Sequence, residues 1–173
     1  MVRGFLLSLS GALLLTGCTA QADEAVEPVV QSSAIPSETE APEKSPEEEA
    51  VDTYLRFWDA IVLASAEMDP DHPDLEKYAV DQALELAQRG VRGVAEAGYG
   101  MEGEPVLAPE VVSAEPEGEP TSIILRDCKG AGDWKVVGEE APRTDNVRVD
   151  ARVNRDVFDW WVVEMQIWEA ETC

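Results

Sequence analysis

Three cysteines are the residues best suited to chemistry in this chain, and the first has the most informative neighbours. Cys18 ends the tetrapeptide Leu15–Cys18 (Leu-Thr-Gly-Cys), so it follows two small residues. Upstream lie one basic residue, Arg3, and an apolar run over Gly4–Leu15. A basic start, a short apolar run and small residues form the pattern of a secretory signal, and the run is too short to span a bilayer. The sequence therefore predicts export from the cytoplasm.

With a cysteine at the cleavage point, the segment resembles the lipobox of bacterial lipoproteins. The resemblance implies that a diacylglycerol is attached to the sulfur of Cys18 and that residues 1–17, the signal peptide, are removed. Two acyl chains anchor a protein stably, since each buried CH₂ contributes roughly 0.8 kcal/mol. We expect a protein held by lipid on the extracytoplasmic face of the cell membrane. The alternative is a secreted protein with an incidental cysteine near its start.

Cys128 and Cys173 are an even pair in an oxidising compartment, which predicts a disulfide between them. The alternatives, a reactive thiol or a metal ligand, have less support. The chain contains one histidine, and no Cys or His spacing matches a zinc site.

The histidine and the carboxylates offer little for acid–base catalysis. His72 stands at the start of a predicted helix, where a solvated turn residue is expected. Asp59 is out of phase with the apolar stripe of its helix, while Asp127 and Glu164 fall on the more polar faces of predicted strands. We therefore assign no catalytic residue, expect no cofactor and favour a non-catalytic role over an enzymatic one.

A calcium site is one alternative for the carboxylates of Asp69, Asp71 and Asp74. Calcium loops need a glycine turn and a distal bidentate glutamate, and here Pro70 and Pro73 interrupt the spacing. The end of one helix and the acidic start of the next explain these residues more simply. We assign no metal site.

Composition limits the number of domains and the kinds of partner. The chain has 173 residues, which is enough for one domain with a core. Its formal charge is −23. Its acidity excludes nucleic acid as a partner. Residues 18–44 are rich in proline and acidic residues and lack aromatic ones, which predicts a disordered tether. Extended at roughly 3.1 Å per residue, the tether would reach about 80 Å from the membrane.

The folded domain is predicted to occupy residues 45–173 and to begin with helices. Ser45–Glu48 has the sequence of a capping box with proline at the first helical position. Apolar residues at helical spacing extend this first helix to about Met68. A short second helix is expected from Pro73 and a third over Asp81–Ala97.

Beyond Gly98 the apolar pattern changes to the period of two that is typical of strands. It predicts strands at Glu110–Glu115, Thr121–Cys128, Trp134–Gly138, Asn146–Arg155 and Trp160–Glu169, the last two joined as a hairpin. Three helices followed by antiparallel strands form an α+β fold. We expect a single curved sheet wrapped around the first helix.

This order of elements resembles the cone-shaped nuclear transport factor 2-like fold, also called SnoaL-like or cystatin-like. The resemblance rests on the segment Tyr54-x-x-Phe57-Trp58-x-Ala60, on the helix start at Asp71–Leu75 and on the closing segment Trp160–Val163. The chain is also similar to uncharacterised actinobacterial lipoproteins that carry one cysteine in a central strand and one at the C-terminus. The resemblance allows a homodimer formed through the sheet.

The cone fold also implies a pocket between the helices and the sheet. Its expected lining residues are Tyr54, Trp58, Tyr78 and Trp161. Because Trp160 and Trp161 are adjacent in a strand, they point to opposite faces. We expect Trp160 to join Trp168 in an exposed surface for a partner; the alternative is that the first helix or the tether covers it.

These features favour a non-catalytic module at the cell envelope that binds a small molecule or another protein. One alternative is a small-molecule carrier, or a lyase or isomerase-like enzyme, that uses the cone pocket. Another is a structural spacer that assists a neighbouring membrane protein.

Overall fold

The structure is a computed structural model that describes residues 43–140 and 146–173. The predicted signal peptide, Cys18 and the tether up to residue 42 lie outside the described residues. Within them the elements follow in the order α1 (Pro46–Glu67), α2 (Leu75–Tyr78), α3 (Asp81–Glu96), β1 (Met101–Glu102), β2 (Glu110–Glu115), β3 (Ser122–Lys129), β4 (Lys135–Val136), β5 (Val147–Arg155) and β6 (Trp160–Ala170). None of the described helices is long and apolar enough to cross a membrane.

Helix α1 starts at the predicted capping box. The backbone N–H of Glu48 donates to the Ser45 hydroxyl at 3.2 Å, and the Ser45 N–H donates to the Glu48 carboxylate at 2.8 Å. These two bonds give partners to backbone N–H groups that have none within the first turn of the helix. The helix ends at Met68, whose φ of 56° is left-handed. Its start and end confirm the sequence prediction to within about one residue.

The main sheet has four antiparallel strands in the order β2-β3-β5-β6. One of its faces is buried together with α1. In β3 the inward side chains are those of Ile123, Leu125, Asp127 and Lys129, which alternate with outward ones as the strand period requires. Helix α3 packs against β6, and α1 lies against several strands. The core therefore sits between α1, α3 and one face of the sheet.

A second, two-stranded sheet corrects the predicted fold. Strand β4 pairs with β1, with Met101 opposite Val136, and it does not join the main sheet. The prediction of one curved sheet in a cone-shaped nuclear transport factor 2-like fold is therefore wrong. The described residues form an α+β fold of three helices and two antiparallel sheets. Strand β1 went unpredicted because two residues are too short to show an alternating pattern.

Two glycines permit the close backbone approach beside the β1–β4 pair. Gly103 and Gly132 both have left-handed φ angles, of +78° and +61°. A side chain on Gly103 would collide with the backbone oxygen of Asp133, and one on Gly132 with that of Glu104. Because glycine adopts such angles without steric cost, the loop after β3 can run close against the segment after β1.

The C-terminus lies beside β3. Cys128 and Cys173 have Cα atoms 5.9 Å apart and sulfur atoms at disulfide distance. Cys128 is on the outward face of β3, opposite the face that carries Asp127 and Lys129. The pair lies where the sequence predicts a disulfide.

Candidate ligand-binding site

Helix α1 and strand β3 each present two functional side chains to the protein interior. On α1 these are Tyr54 and Trp58, which are four residues apart and so share one helix face. On β3 they are Asp127 and Lys129, which are two residues apart and so share one strand face. The spacing produces two levels, one with Tyr54 and Asp127 and one with Trp58 and Lys129.

The first level is a closed hydrogen-bonded cluster. The Tyr54 hydroxyl donates to one carboxylate oxygen of Asp127 at 2.9 Å, and the backbone N–H of Ala108 donates to the other at 2.8 Å. Tyr54 and Asp127 are 0 % and 1 % exposed. Burial, reinforced by the negative charge of Asp127, raises the pKa of the Tyr54 phenol far above its ordinary value.

Asp127 therefore corrects the sequence analysis, which placed it on a solvated face. A polarity pattern assigns an acidic residue to solvent, but here the inward positions of β3 run on through Asp127 and Lys129. A buried carboxylate of this kind is tolerated because hydrogen bonds replace its lost hydration. The regular alternation that starts at Ile123 was the available signal.

The second level borders an apolar pocket of about 350 Å³ between α1, α3 and the sheet. This volume lies within the range of roughly 300–1,000 Å³ that is typical of small-molecule sites. Most of its lining side chains are aliphatic, aromatic or small. The lining residues are Trp58, Ile61, Ser65, Leu86, Ala87, Arg89, Gly90, Val91, Val94, Met101, Lys129, Trp134, Met165 and Ile167.

Two indole rings and one ammonium group lie close together in the lining of this pocket. Trp58 and Trp134 meet edge to face, with ring centroids 6.1 Å apart. The Lys129 ammonium lies 5.6 Å from the Trp58 centroid and 5.3 Å from that of Trp134. These distances allow cation–π attraction between the ammonium and both rings. The sequence analysis did not identify Lys129 or Trp134 as site residues.

Of the four predicted lining residues, the structure places Trp58 in the apolar pocket. Tyr54 is in the core, one helical turn away. Tyr78 lines a separate, polar pocket, in which Trp160 is also a lining residue. Trp161 is on the opposite face of β6 from buried Trp160 and Val162. The four residues therefore do not line one cavity.

Trp160 is a second correction, because it is buried rather than part of an exposed surface. It is 7 % exposed, and its indole N–H donates to the Glu49 carboxylate at 3.0 Å. Strict alternation along the strand would place Trp161 and Met165 on one face and Trp160 on the other. The β5–β6 pairing register shifts between Arg152, which pairs with Glu164, and Val153, which pairs with Val162. Val163 is therefore an extra residue in β6, and the inward and outward positions of the strand exchange there.

Trp168 is exposed as predicted, but it is held in place by its neighbours. It is 40 % exposed, its N–H donates to Asp150 at 2.9 Å, and the Arg148 guanidinium lies 4.8 Å from its ring centroid. Partial burial acts to raise the pKa of Asp150, but hydrogen bonds from Arg148, Arg126 and Trp168 outweigh it and lower that pKa. Trp168 and Trp160 do not form one surface.

The other acid–base candidates are dispersed. Asp59 and Glu164 are exposed, as predicted, and Glu164 pairs with Arg152 at 3.0 Å. His72 is buried rather than solvated, because both of its ring nitrogens have partners within the protein. Its Nδ1 accepts the backbone N–H of Asp74 at 3.2 Å, and its Nε2 lies 3.5 Å from Glu67.

The three aspartates weighed as calcium ligands each have a local partner. Asp69 accepts the backbone N–H of Asp71 at 3.1 Å, and Asp74 pairs with Lys77. Asp71 lies 3.9 Å from Arg92. Among residues 43–140 and 146–173, no group of three or more His, Cys, Asp or Glu side chains is arranged to hold a metal ion.

Comparison with known proteins does not assign a family. No protein-family model matches the chain, and no curated protein sequence matches it significantly. Among solved structures, it is similar to the intermembrane-space region of the chloroplast protein ARC6 at a TM-score of 0.42 and 14 % identity. That match covers 75 % of this chain and 100 % of the other.

Proposed function

We propose that this protein is a lipid-anchored, extracytoplasmic binding domain that takes a small, largely apolar molecule into the pocket between α1, α3 and the sheet. The pocket is the single observation that carries the proposal. It is of ligand size, its walls are mostly apolar, and it contains few polar groups. That combination is typical of small-molecule sites.

A binding role rather than a catalytic one is favoured by how the acid–base groups are used. In the core, the Tyr54 hydroxyl donates to Asp127, and Asp127 also accepts from the backbone N–H of Ala108. Neither Tyr54 nor Asp127 is among the described residues that line the apolar pocket. Groups committed to one another in this way stabilise the fold and do not meet a ligand in that pocket. The described residues that line the pocket are mostly apolar, and they also include Lys129, Arg89 and Ser65.

The anchor in this proposal rests on the sequence around Cys18. The lipobox resemblance supports attachment to the membrane, and the acidic segment after it supports a tether that holds the domain away from the surface. A domain in that position would capture its ligand outside the cytoplasm. The proposal includes no nucleic-acid partner and leaves the number of subunits open.

Helix α3 provides a matched pair of positions with which to test the pocket. Gly90 lines the pocket and Gly93 does not, and a Cβ on either meets no atom within 4 Å. A Gly90→Leu side chain should extend into the pocket mouth, whereas a Gly93→Leu side chain adds the same mass to the same helix elsewhere. Both variants gain helix propensity, so a difference between them reports on the pocket.

The test is titration of the purified protein with the uncharged fluorescent dye N-phenyl-1-naphthylamine. We expect saturable binding of one dye molecule to the wild type and to Gly93→Leu. Gly90→Leu should weaken that binding by about tenfold or more. Absence of saturable binding to the wild type, or equal loss in both variants, would exclude this pocket as the binding site.

A further inference from the structure

The turn between β5 and β6 carries two adjacent apolar side chains that are almost fully exposed. Val157 is 79 % exposed and Phe158 is 81 % exposed, and we call this pair the hairpin tip. Among residues 43–140 and 146–173, every other large apolar side chain is less exposed than either. A single exposed apolar residue needs no explanation, but two neighbours at the end of a hairpin form a small wedge that can enter another apolar phase.

Hydrogen bonds within the turn hold the hairpin tip in one conformation. The Asp156 carboxylate accepts the backbone N–H of Phe158 at 2.8 Å and that of Asp159 at 2.9 Å. The backbone N–H of Asp156 donates to the Asp159 carbonyl at 3.0 Å. The bonds from Asp159 and Phe158 lower the pKa of Asp156, so this carboxylate stays charged at neutral pH. A segment that is ordered before it binds loses less conformational entropy on contact.

The hairpin tip lies at the end of the domain where the chain enters α1. Phe158 and Lys44 line the same polar pocket, together with Glu49 and Arg56 from the first turns of α1. Lys44 is two residues before α1, so the segment that leads back to Cys18 joins the domain beside the tip. In the proposed function Cys18 carries the lipid anchor. The anchor would therefore pull this end of the domain toward the membrane.

Val137 marks the other end of α1 and gives a point of comparison. It is 57 % exposed. A Cβ on Gly100 would lie 3.6 Å from a methyl group of Val137 and 3.7 Å from the backbone oxygen of Ala66, near the end of α1. The helix has 22 residues, which makes it about 33 Å long. A membrane that meets the start of α1 should therefore reach the hairpin tip and leave Val137 in water.

The hairpin tip is too small to bind a membrane firmly by itself. Moving one apolar side chain of this size out of water favours contact by about tenfold to a hundredfold, so two that are partly inserted give an affinity of roughly millimolar. A tether that reaches about 80 Å would hold the domain at an effective concentration of about 1 mM. Contact would then be formed about half of the time in the anchored chain, and rarely in a free chain at micromolar concentration.

The surroundings of the hairpin tip favour a lipid surface over a protein partner. The residues that dominate a protein interface are normally surrounded by further contacts that exclude water, whereas Asp156 and Asp159 flank the tip on both sides. Such flanks suit a shallow insertion, which leaves them in the polar headgroup layer. The net charge of −23 opposes approach to an anionic bilayer, so a zwitterionic surface is favoured.

We propose that Val157 and Phe158 insert into the surface of the bilayer that carries the anchor, so that the domain docks with the start of α1 toward the membrane. This inference rests on the lipid anchor of the proposed function. It concerns a different surface from the apolar pocket, and it assigns the hairpin tip to a zwitterionic lipid surface.

The experiment uses the full chain, lipidated in a bacterial host and inserted into phosphatidylcholine vesicles. Val157→Cys and Val137→Cys place the same thiol at the two ends of α1, and each is labelled with bimane, whose emission shifts to the blue in an apolar medium. The introduced thiol is the one that reacts, because Cys18 carries the lipid and the other two native cysteines are linked.

The label at position 157 should shift to the blue and be quenched by brominated phosphatidylcholine, while the label at position 137 should do neither. Adding Phe158→Ser should lower the ratio of inserted to free label at position 157 by about tenfold. Because Phe158 is 81 % exposed, this change should leave the fold intact. Vesicles that contain phosphatidylglycerol should also lower the ratio, since the chain is acidic.

The outcomes separate this inference from the proposed function. If neither label responds in the anchored chain, or both respond equally, the hairpin tip does not insert and the inference is overturned in favour of a protein partner. The mass of the mature chain tests the anchor on its own. If Cys18 carries no lipid, the anchored part of the proposed function fails. The Cys18→Ser chain at millimolar phosphatidylcholine then decides the inference, since the label at position 157 alone should still respond.

Discussion

The two levels between α1 and β3 use the same backbone elements and reach opposite results. At Tyr54 and Asp127 the side chains bond directly and the interior is closed. One helical turn and two strand residues further, Trp58 and Lys129 border an open pocket. The neighbouring segment accounts for the difference. The backbone at Ala108 completes the first level, whereas α3 meets the second with small residues such as Ala87 and Gly90.

This comparison shows that closure is set by a third element rather than by the helix–strand pair. An interior is normally packed to about the density of an organic crystal, so a space next to a well-bonded cluster requires a local cause. Small side chains on α3 are that cause. Three changes, in order of decreasing effect, test how separate the two levels are.

The largest effect should come from removing the link between Cys128 and Cys173. Cys128 lies between Asp127 and Lys129 in β3, so the link holds the strand that carries both levels. For a sequence separation of 45 residues, loop entropy gives roughly 4 kcal/mol of stabilisation. The Cys128→Ser/Cys173→Ser variant should lose about that much of the free energy of unfolding in urea.

Its control is thiol quantification in the unreduced wild type, where neither cysteine should react with an alkylating reagent. The link stabilises both levels together, so both should be intact in the fraction of the variant that is still folded at low urea. That fraction should therefore bind the dye. Two reactive thiols in the wild type, or a loss below about 1 kcal/mol, would contradict the assigned link.

The next effect should come from Tyr54→Phe, which opens the closed level alone. The change leaves one buried oxygen of Asp127 without its donor, which should cost about 1–3 kcal/mol of the free energy of unfolding. The exposed Tyr99→Phe loses the same hydroxyl and should change stability by less than about 0.5 kcal/mol. Dye binding in the pocket should be unaffected by either change.

The same variant also separates the levels by pH. Because the pKa of Tyr54 is raised in the folded protein, its phenol releases a proton more easily when unfolded. Its contribution is complete below the unfolded value of about 10 and is lost as pH rises above that value, by at most about 1.4 kcal/mol per pH unit. Tyr54→Phe should flatten that decline. An equally steep decline in the variant would show that other groups cause it.

The sequence predicts the regular elements well because they carry strong local signals. The capping box at Ser45 sets the start of α1, the bounds of β2 were correct, and the hairpin between β5 and β6 followed from alternation and a turn. Each of these signals is contained in a few neighbouring residues. None depends on what the element later meets.

The errors arise where long-range packing overrides a local pattern. The extra residue at Val163 reverses the faces of β6, and no polarity pattern reports a bulge. Pairing of β1 with β4 depends on two glycines far apart in sequence. The pocket depends on α3 facing Trp58 and Lys129 at one level, so only the assembled structure brings its lining together.

The smallest effect should come from Gly90→Ala, and it has the opposite sign. Glycine in a helix interior is about 1 kcal/mol less favourable than alanine, and the added methyl group meets no atom within 4 Å. The variant should therefore be more stable in urea by up to about that amount, as should Gly93→Ala. If the open level existed only because α3 is loosely held, stabilising α3 would close it and dye binding would fall equally in both variants. If the space is fixed by small side chains, as we argue, Gly93→Ala should bind dye like the wild type while Gly90→Ala binds slightly less.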